Sequence, residues 1–161
     1  MATLAEQIEI ACLLEATARK PGNVHPGARF VDLEYRDFVR AAEVSAPMLA
    51  RSGELGVGPA VYEAVRAARD VCCSNVNLGI CLLIAPIAAV EDTRTLRQGV
   101  RQVIEATTVD DAAAVYEAIR LASPGGLGQA AAQDVATAPT VTLLEAMRLA
   151  SERDAIAYEW S

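Results

Sequence analysis

The sequence predicts an all-α fold, a single domain of about seven helices around one buried apolar helix. Three observations predict it. Hydrophobic residues make up 53% of the 161-residue chain, much of that alanine, while aromatics are only 4%, a balance that suits closely packed helices better than a sheet. Apolar residues recur at helical spacing along most of the chain. One stretch, Leu78 to Val90, is apolar throughout, which marks a helix surrounded by others and is too short to span a bilayer.

The first helix is predicted from about Thr3 to Arg19, with Leu4, Ile8, Ala11 and Ala18 on its inner face. Glu15 falls in the middle of that face, so it is expected inside, paired or hydrogen-bonded, because a bare buried carboxylate costs several kcal/mol. Pro21 ends the helix. The following loop, Arg19 to Asp32, carries Arg19, Lys20, Arg29 and the only histidine, His25, together with Asn23, two prolines and two glycines. Gly22 and Gly27 open backbone conformations closed to other residues, and Pro26 stiffens the turn between them. A rigid cationic loop in a chain of net charge −7 reads as an anion site or as an ordinary helix connection with solvated charges.

Asp32 is placed to cap a second helix, about Leu33 to Arg51, kinked or divided at Pro47. Ser52 to Pro59, with three glycines, reads as a turn. The third helix buries Val61, Ala64, Val65, Ala68, Val71 and Cys72. Before the apolar helix comes Asn75-Val76-Asn77-Leu78-Gly79, where either asparagine can cap the helix or offer its amide to a ligand. Pro86 removes a partner from the carbonyl of Leu82.

Thr93 is expected to cap a fifth helix with Leu96, Val100, Val103 and Ile104 inward. Thr108 with Asp111 resembles a capping box for a sixth, burying Ala112, Val115, Tyr116 and Ile119. Ser123 to Pro139 is a long loop opening on Pro124-Gly125-Gly126-Leu127-Gly128, and such loops are often functional. As a nucleotide signature it is weak. Thr142 and Glu145 form the capping box of the last helix, on whose inner stripe Asp154 also falls. Glu15 and Asp154 are therefore expected to line one polar cavity beside the Lys20 loop.

The acidic balance argues against nucleic-acid or anionic-membrane partners. Cys12, Cys72, Cys73 and Cys81 lack zinc-site spacing, and no leader opens the chain, so reduced thiols in a cytoplasmic protein are expected. The chain stops just after Trp160. That abrupt end suggests the N-terminal part of a longer helical domain, with exposed apolar surface and association into a homodimer as consequences.

Glu15, Lys20-Pro21-Gly22, the Gly27-Ala28 to Asp32 segment and Asn75-x-Asn-x-Gly79 together resemble the triphosphoribosyl-dephospho-CoA synthase family. That family carries a Glu, then Lys-Pro-Gly, then Gly-Ala-His-x-Asp-Met, then Thr-Gly-Gly-x-Asn-Thr-His-Lys-Gly. The chain departs from the pattern in three places: the histidine before the aspartate is replaced around Arg29 and Phe30, Thr-Gly-Gly becomes Val71-Cys72-Cys73, and His-Lys becomes Asn77-Leu78. The resemblance implies an all-helical transferase that moves the triphosphoribosyl unit of ATP to dephospho-CoA, releases adenine and makes a prosthetic-group precursor. It implies Glu15 and Asp32 as catalytic residues, to which the periodicity of the last helix adds Asp154 as a catalytic candidate. Lys20, Pro21, Gly22, Asn23, His25, Arg29, Asn75, Asn77 and Gly79 would bind small-molecule nucleotide substrates, with Asp32 as a Mg²⁺ ligand. Two alternatives stay open: transfer to another nucleotide or pterin-type precursor, and a non-catalytic helical module that binds a nucleotide or a partner.

Overall fold

A computed structural model describes residues 2–20, 23–91, 95–124, 130 and 132–161. Among these the regular structure is helical, joined by loops and turns, with an isolated bridge between His25 and Ala28. The helices are α1 (Leu4–Thr17), α2 (Tyr35–Leu49), α3 (Ser52–Leu55), α4 (Val57–Val71) and α5 (Leu78–Ala88), then α6 (Leu96–Glu105), α7 (Val109–Ala122), α8 (Leu143–Ala150) and α9 (Ala155–Trp160). None of them is long and apolar enough to cross a membrane.

The helix starts follow local chemistry. Thr3 with Glu6, Thr108 with Asp111, and Thr142 with Glu145 each form reciprocal capping boxes, so that orphan N–H groups at the first turn find acceptors. At α2 the cap differs from expectation. Asp37 accepts the Glu34 N–H at 2.8 Å, whereas Asp32 lies upstream and exposed. The expected turn at 52–59 is mostly helical, because α3 and α4 are parted only by Gly56, whose φ of 90° favours glycine. Pro47 lies inside α2 without dividing it. Thr93, the expected cap of α6, lies outside the described residues.

The centre of the bundle is α4, which packs chiefly on α2 and α7. Its inner face is Val57, Ala60, Val61, Ala64, Val65 and Ala68, and its alanines let the neighbouring backbones come close. At Gly58 a Cβ would lie 2.5 Å from the backbone of Asp111, so only glycine fits. The Gly58 N–H donates to Asp111 Oδ1 at 2.8 Å, while Oδ2 accepts the Thr108 N–H at 2.9 Å. One carboxylate thus serves the positive ends of two helices.

Helix α5 packs against α1 to α4 and also α6, α7 and α9, but it is not enclosed on every side. Leu78, Cys81, Leu82, Ala85 and Pro86 are buried, whereas Ile87 is 47% exposed. An all-apolar stretch carries no marker of which side faces in, so periodicity overstated its burial. The carbonyl of Leu82, left without a helical donor by Pro86, accepts the Trp160 indole N–H at 3.2 Å. This bond anchors α9 to α5.

Two further expectations are corrected. The last helix is two, since the chain turns at 151–154 and Asp154 caps α9, accepting the Ala157 N–H at 2.8 Å. On α1 the buried face is Ile8, Cys12 and Ala16, with Leu4 and Leu14 exposed. The apolar residues of α1 spread around its circumference, which left its inward face ambiguous to a periodicity argument. Glu15 and Asp154 are accordingly both exposed rather than interior.

Candidate functional site

The two segments where the sequence breaks its helical pattern lie side by side. The Ser74 hydroxyl donates to the carbonyl of Asp32 at 3.1 Å, and a small core of Ala41, Ala68, Cys72 and Val76, with Leu33 and Phe38 against it, lies under both. Cys72 adds a weak Sγ bond to the carbonyl of Asp37. The cysteines that stand where the resembled family has Thr-Gly-Gly thus include one that packs the support of this region.

A groove of about 300 Å³ is lined by Glu15, Asn75, Asn77, Gly79, Leu83 and Ile156, among others. Glu15 reaches it from the last turn of α1 and pairs with Lys20, both side chains remaining partly open to solvent, 42% and 38% exposed. Asn75 Oδ1 accepts the Leu78 N–H at 3.3 Å, capping α5, which leaves its amide nitrogen to offer. Asn77 is buried, and its amide donates to Ser45 Oγ at 3.0 Å. Both asparagines line the groove, and Asn77 also ties α5 to α2.

The Lys20 loop forms a second hollow of about 330 Å³ beside the start of α2, walled by His25, Gly27, Arg29, Glu34, Tyr35 and Arg36. His25 and Ala28 exchange backbone bonds at 2.9 and 3.1 Å. His25 Nδ1 accepts the Gly27 N–H at 3.0 Å, so this histidine holds the turn through one ring nitrogen. Arg29 and Arg36 flank Glu34 at 3.5 and 3.0 Å, both largely exposed. Arg36 was not singled out in the sequence, and its only signal was a position four residues beyond the loop. Asn23 is exposed. Pro21 and Gly22 lie outside the described residues.

A larger hollow than these two, about 440 Å³, lies elsewhere, between the start of α5, α7, α8, α9 and residues 130 and 133–135. Leu78, Leu82, Val115, Leu143, Met147 and Ile156 give it aliphatic walls, and Gln133, Asp134, Arg153 and Asp154 a polar rim. Of the expected site residues that the structure describes, only Asn75, Gly79 and Asp154 reach it. Asp134 accepts the N–H groups of Ala130 and Ala136 at 2.7 and 2.8 Å, which hold its carboxyl below the ordinary range. Gln133 sits at φ 52°, a conformation uncommon outside glycine. It is fixed there by the Tyr116 hydroxyl on its carbonyl and by two side-chain bonds with Thr140. The length of the 123–139 loop was the sequence signal for this site, although the glycine run that drew attention to it lies outside the described residues. Asn75, Leu78, Gly79 and Ile156 line both this hollow and the Glu15 groove. The two spaces meet at Gly79, where a Cβ would stand 3.2 Å from Ile156 Cδ1.

An all-helical domain with a carboxylate and a lysine at one groove, arginines at a neighbouring hollow and an aliphatic cavity alongside has the parts of a small-molecule group-transfer enzyme. The CitG family model, ATP:dephospho-CoA triphosphoribosyl transferase, matches residues 1–161. The chain belongs to that family and is a transferase of the triphosphoribosyl-dephospho-CoA synthase type, with ATP the family's substrate. No curated protein and no solved structure matches the chain.

Proposed function

We propose that this chain transfers the triphosphoribosyl unit of ATP to the ribose 2′-hydroxyl of dephospho-CoA, with Glu15 at the reacting centre. The observation that carries this assignment is the placing of Glu15 in one groove with Asn75 and Gly79, next to Lys20. In the reaction the bond between the anomeric carbon and adenine breaks, a bond from that carbon to the acceptor oxygen forms, and the hydroxyl proton ends on the departing adenine. The anomeric carbon gains positive charge on the way, so a carboxylate beside it stabilises that charge or takes up the proton. The half-exposed Glu15 can turn from Lys20 to substrate at small cost, because an exposed ion pair contributes only ~0–1 kcal/mol.

In this reading Lys20, Arg29 and Arg36 receive the triphosphate, and His25 offers the nitrogen not used in its turn. Asn75 contacts ribose. Asn77 and Leu78, standing where the resembled family has His-Lys, serve the core instead, which moves phosphate binding onto the arginines of the loop and α2. Among the described residues no three His, Cys, Asp or Glu side chains are gathered to hold a metal. Mg²⁺ ordinarily takes only one or two carboxylates and completes its shell with phosphate and water, so we assign it to MgATP, with Asp32 the protein carboxylate of the loop. Asp154 caps α9 and is a rim group of the large cavity rather than a partner of Glu15. We place the activity in the cytoplasm, where ATP and dephospho-CoA are met. Incubation with MgATP and dephospho-CoA, followed by chromatography, tests the assignment. Free adenine in proportion to added dephospho-CoA is expected, and adenine formation indifferent to the acceptor would overturn it.

A further inference from the structure

We propose that the cavity between α5, α7, α8 and α9 holds the pantetheine arm of dephospho-CoA, so that the acceptor straddles Gly79 with its ribose in the Glu15 groove. The proposal rests on the family reaction for the identity of the acceptor, and on the following geometry for the place of its arm.

The volume, about 440 Å³, falls in the range of small-molecule sites, whose walls are mostly apolar with a few placed polar groups. Its charge excludes the phosphates. The rim carries two carboxylates, Asp134 and Asp154, against one guanidinium, Arg153, so a polyanion would be repelled while an uncharged chain would not. Its walls also disfavour the adenine bases. They are aliphatic, and among the described lining residues Tyr116 is the one aromatic ring, so no pair of rings is there to sandwich a base. Of the uncharged parts in the two substrates, the arm is the flexible one, a chain of methylenes and two amides. It matches Leu82, Leu143, Met147 and Ile156 along its length and the Asn75 amide at the entrance.

The position supplies the remaining constraint. The cavity and the Glu15 groove have Asn75, Leu78, Gly79 and Ile156 in common, so one elongated molecule can occupy both. The arginine hollow shares no lining residue with the cavity, which leaves it to the other substrate. Ile156, in contact range of a Cβ at Gly79, stands at the passage between the two spaces.

The three methionines are Met1, Met48 and Met147, and of the two that the structure describes, Met48 and Met147, only Met147 lines this cavity. Methyl-labelled methionine therefore reports on it directly, with Met48, packed on the main core, as internal control. Titration of the full chain with dephospho-CoA, and separately with pantetheine, is expected to shift the Met147 methyl resonance saturably and leave Met48 unmoved, while MgATP alone leaves both unmoved. Ala150→Phe, which fills the cavity from the end of α8, is expected to weaken dephospho-CoA binding by about tenfold or more and ATP binding by less than about twofold. Ala150→Leu, a smaller intrusion, should give the same ranking if the phenylalanine variant fails to fold. A Met147 signal indifferent to both acceptor and pantetheine overturns the proposal, as does equal loss of ATP and dephospho-CoA affinity in the variants. If pantetheine shifts Met147 but no adenine is ever released, the cavity assignment stands and the transferase reading falls.

Discussion

The amide of Asn77 donates to the hydroxyl of Ser45 at 3.0 Å inside the bundle, and Ser45 donates onward to the carbonyl of Ala41 at 2.6 Å. This chain of bonds ties the start of α5 to α2. Replacement of Asn77 by alanine removes a buried donor and leaves a void, which should cost about 1–3 kcal/mol. The expected result is a lower urea midpoint with turnover per folded molecule retained. Intact stability with lost turnover would instead make Asn77 a substrate contact.

The thiols should divide sharply by reactivity. Burial pushes Cys12 up to about 11, with Glu15 adding to the shift, and raises Cys72 and, further, Cys81, while Cys73 is exposed. Since the thiolate is the reacting form, a chromogenic disulfide is expected to label Cys73 quickly in the native protein and the other cysteines only on unfolding. Rapid labelling of Cys12 would show that α1 opens at the Glu15 groove.

Asp134 gives a dependence on acidity. The Ala130 and Ala136 N–H groups lower its pKa in the folded chain, so its stabilising contribution is complete above the ordinary carboxylate value and is lost as the pH falls through the lowered folded value. The melting temperature of Asp134→Asn should lie below that of the parent at neutral pH, and the gap should close in acid. A gap that stays constant would mean that the 130–136 turn is held by other bonds.

What was legible in the sequence was what local chemistry decides. The threonine capping boxes of α7 and α8 follow from side chains three residues apart, and the inner face of α4 follows from its spacing apart from Val71, which is exposed at the end of the helix. The orientation of α1 was not legible, because its apolar residues surround the helix and only tertiary packing selects Ile8, Cys12 and Ala16. Asp154 was misread for a related reason: a cap and a buried stripe position look alike until the break after α8 is known. The Glu15, Asn75 and Gly79 grouping could be anticipated from motif resemblance, whereas the aliphatic cavity could not. Its walls come from α5, α7, α8 and α9, and its strained rim residue, Gln133, is unremarkable as a letter.

The central claim is that Glu15 acts on the substrate rather than holding the fold. Its partner Lys20 is exposed with it, so Glu15→Gln should lower stability by less than ~1 kcal/mol. Adenine release from MgATP in the presence of dephospho-CoA, measured on this variant beside its urea midpoint, tests the claim most directly. The account predicts an unchanged midpoint with adenine release reduced by about a hundredfold or more. Adenine release near the parent rate from the folded variant would contradict it.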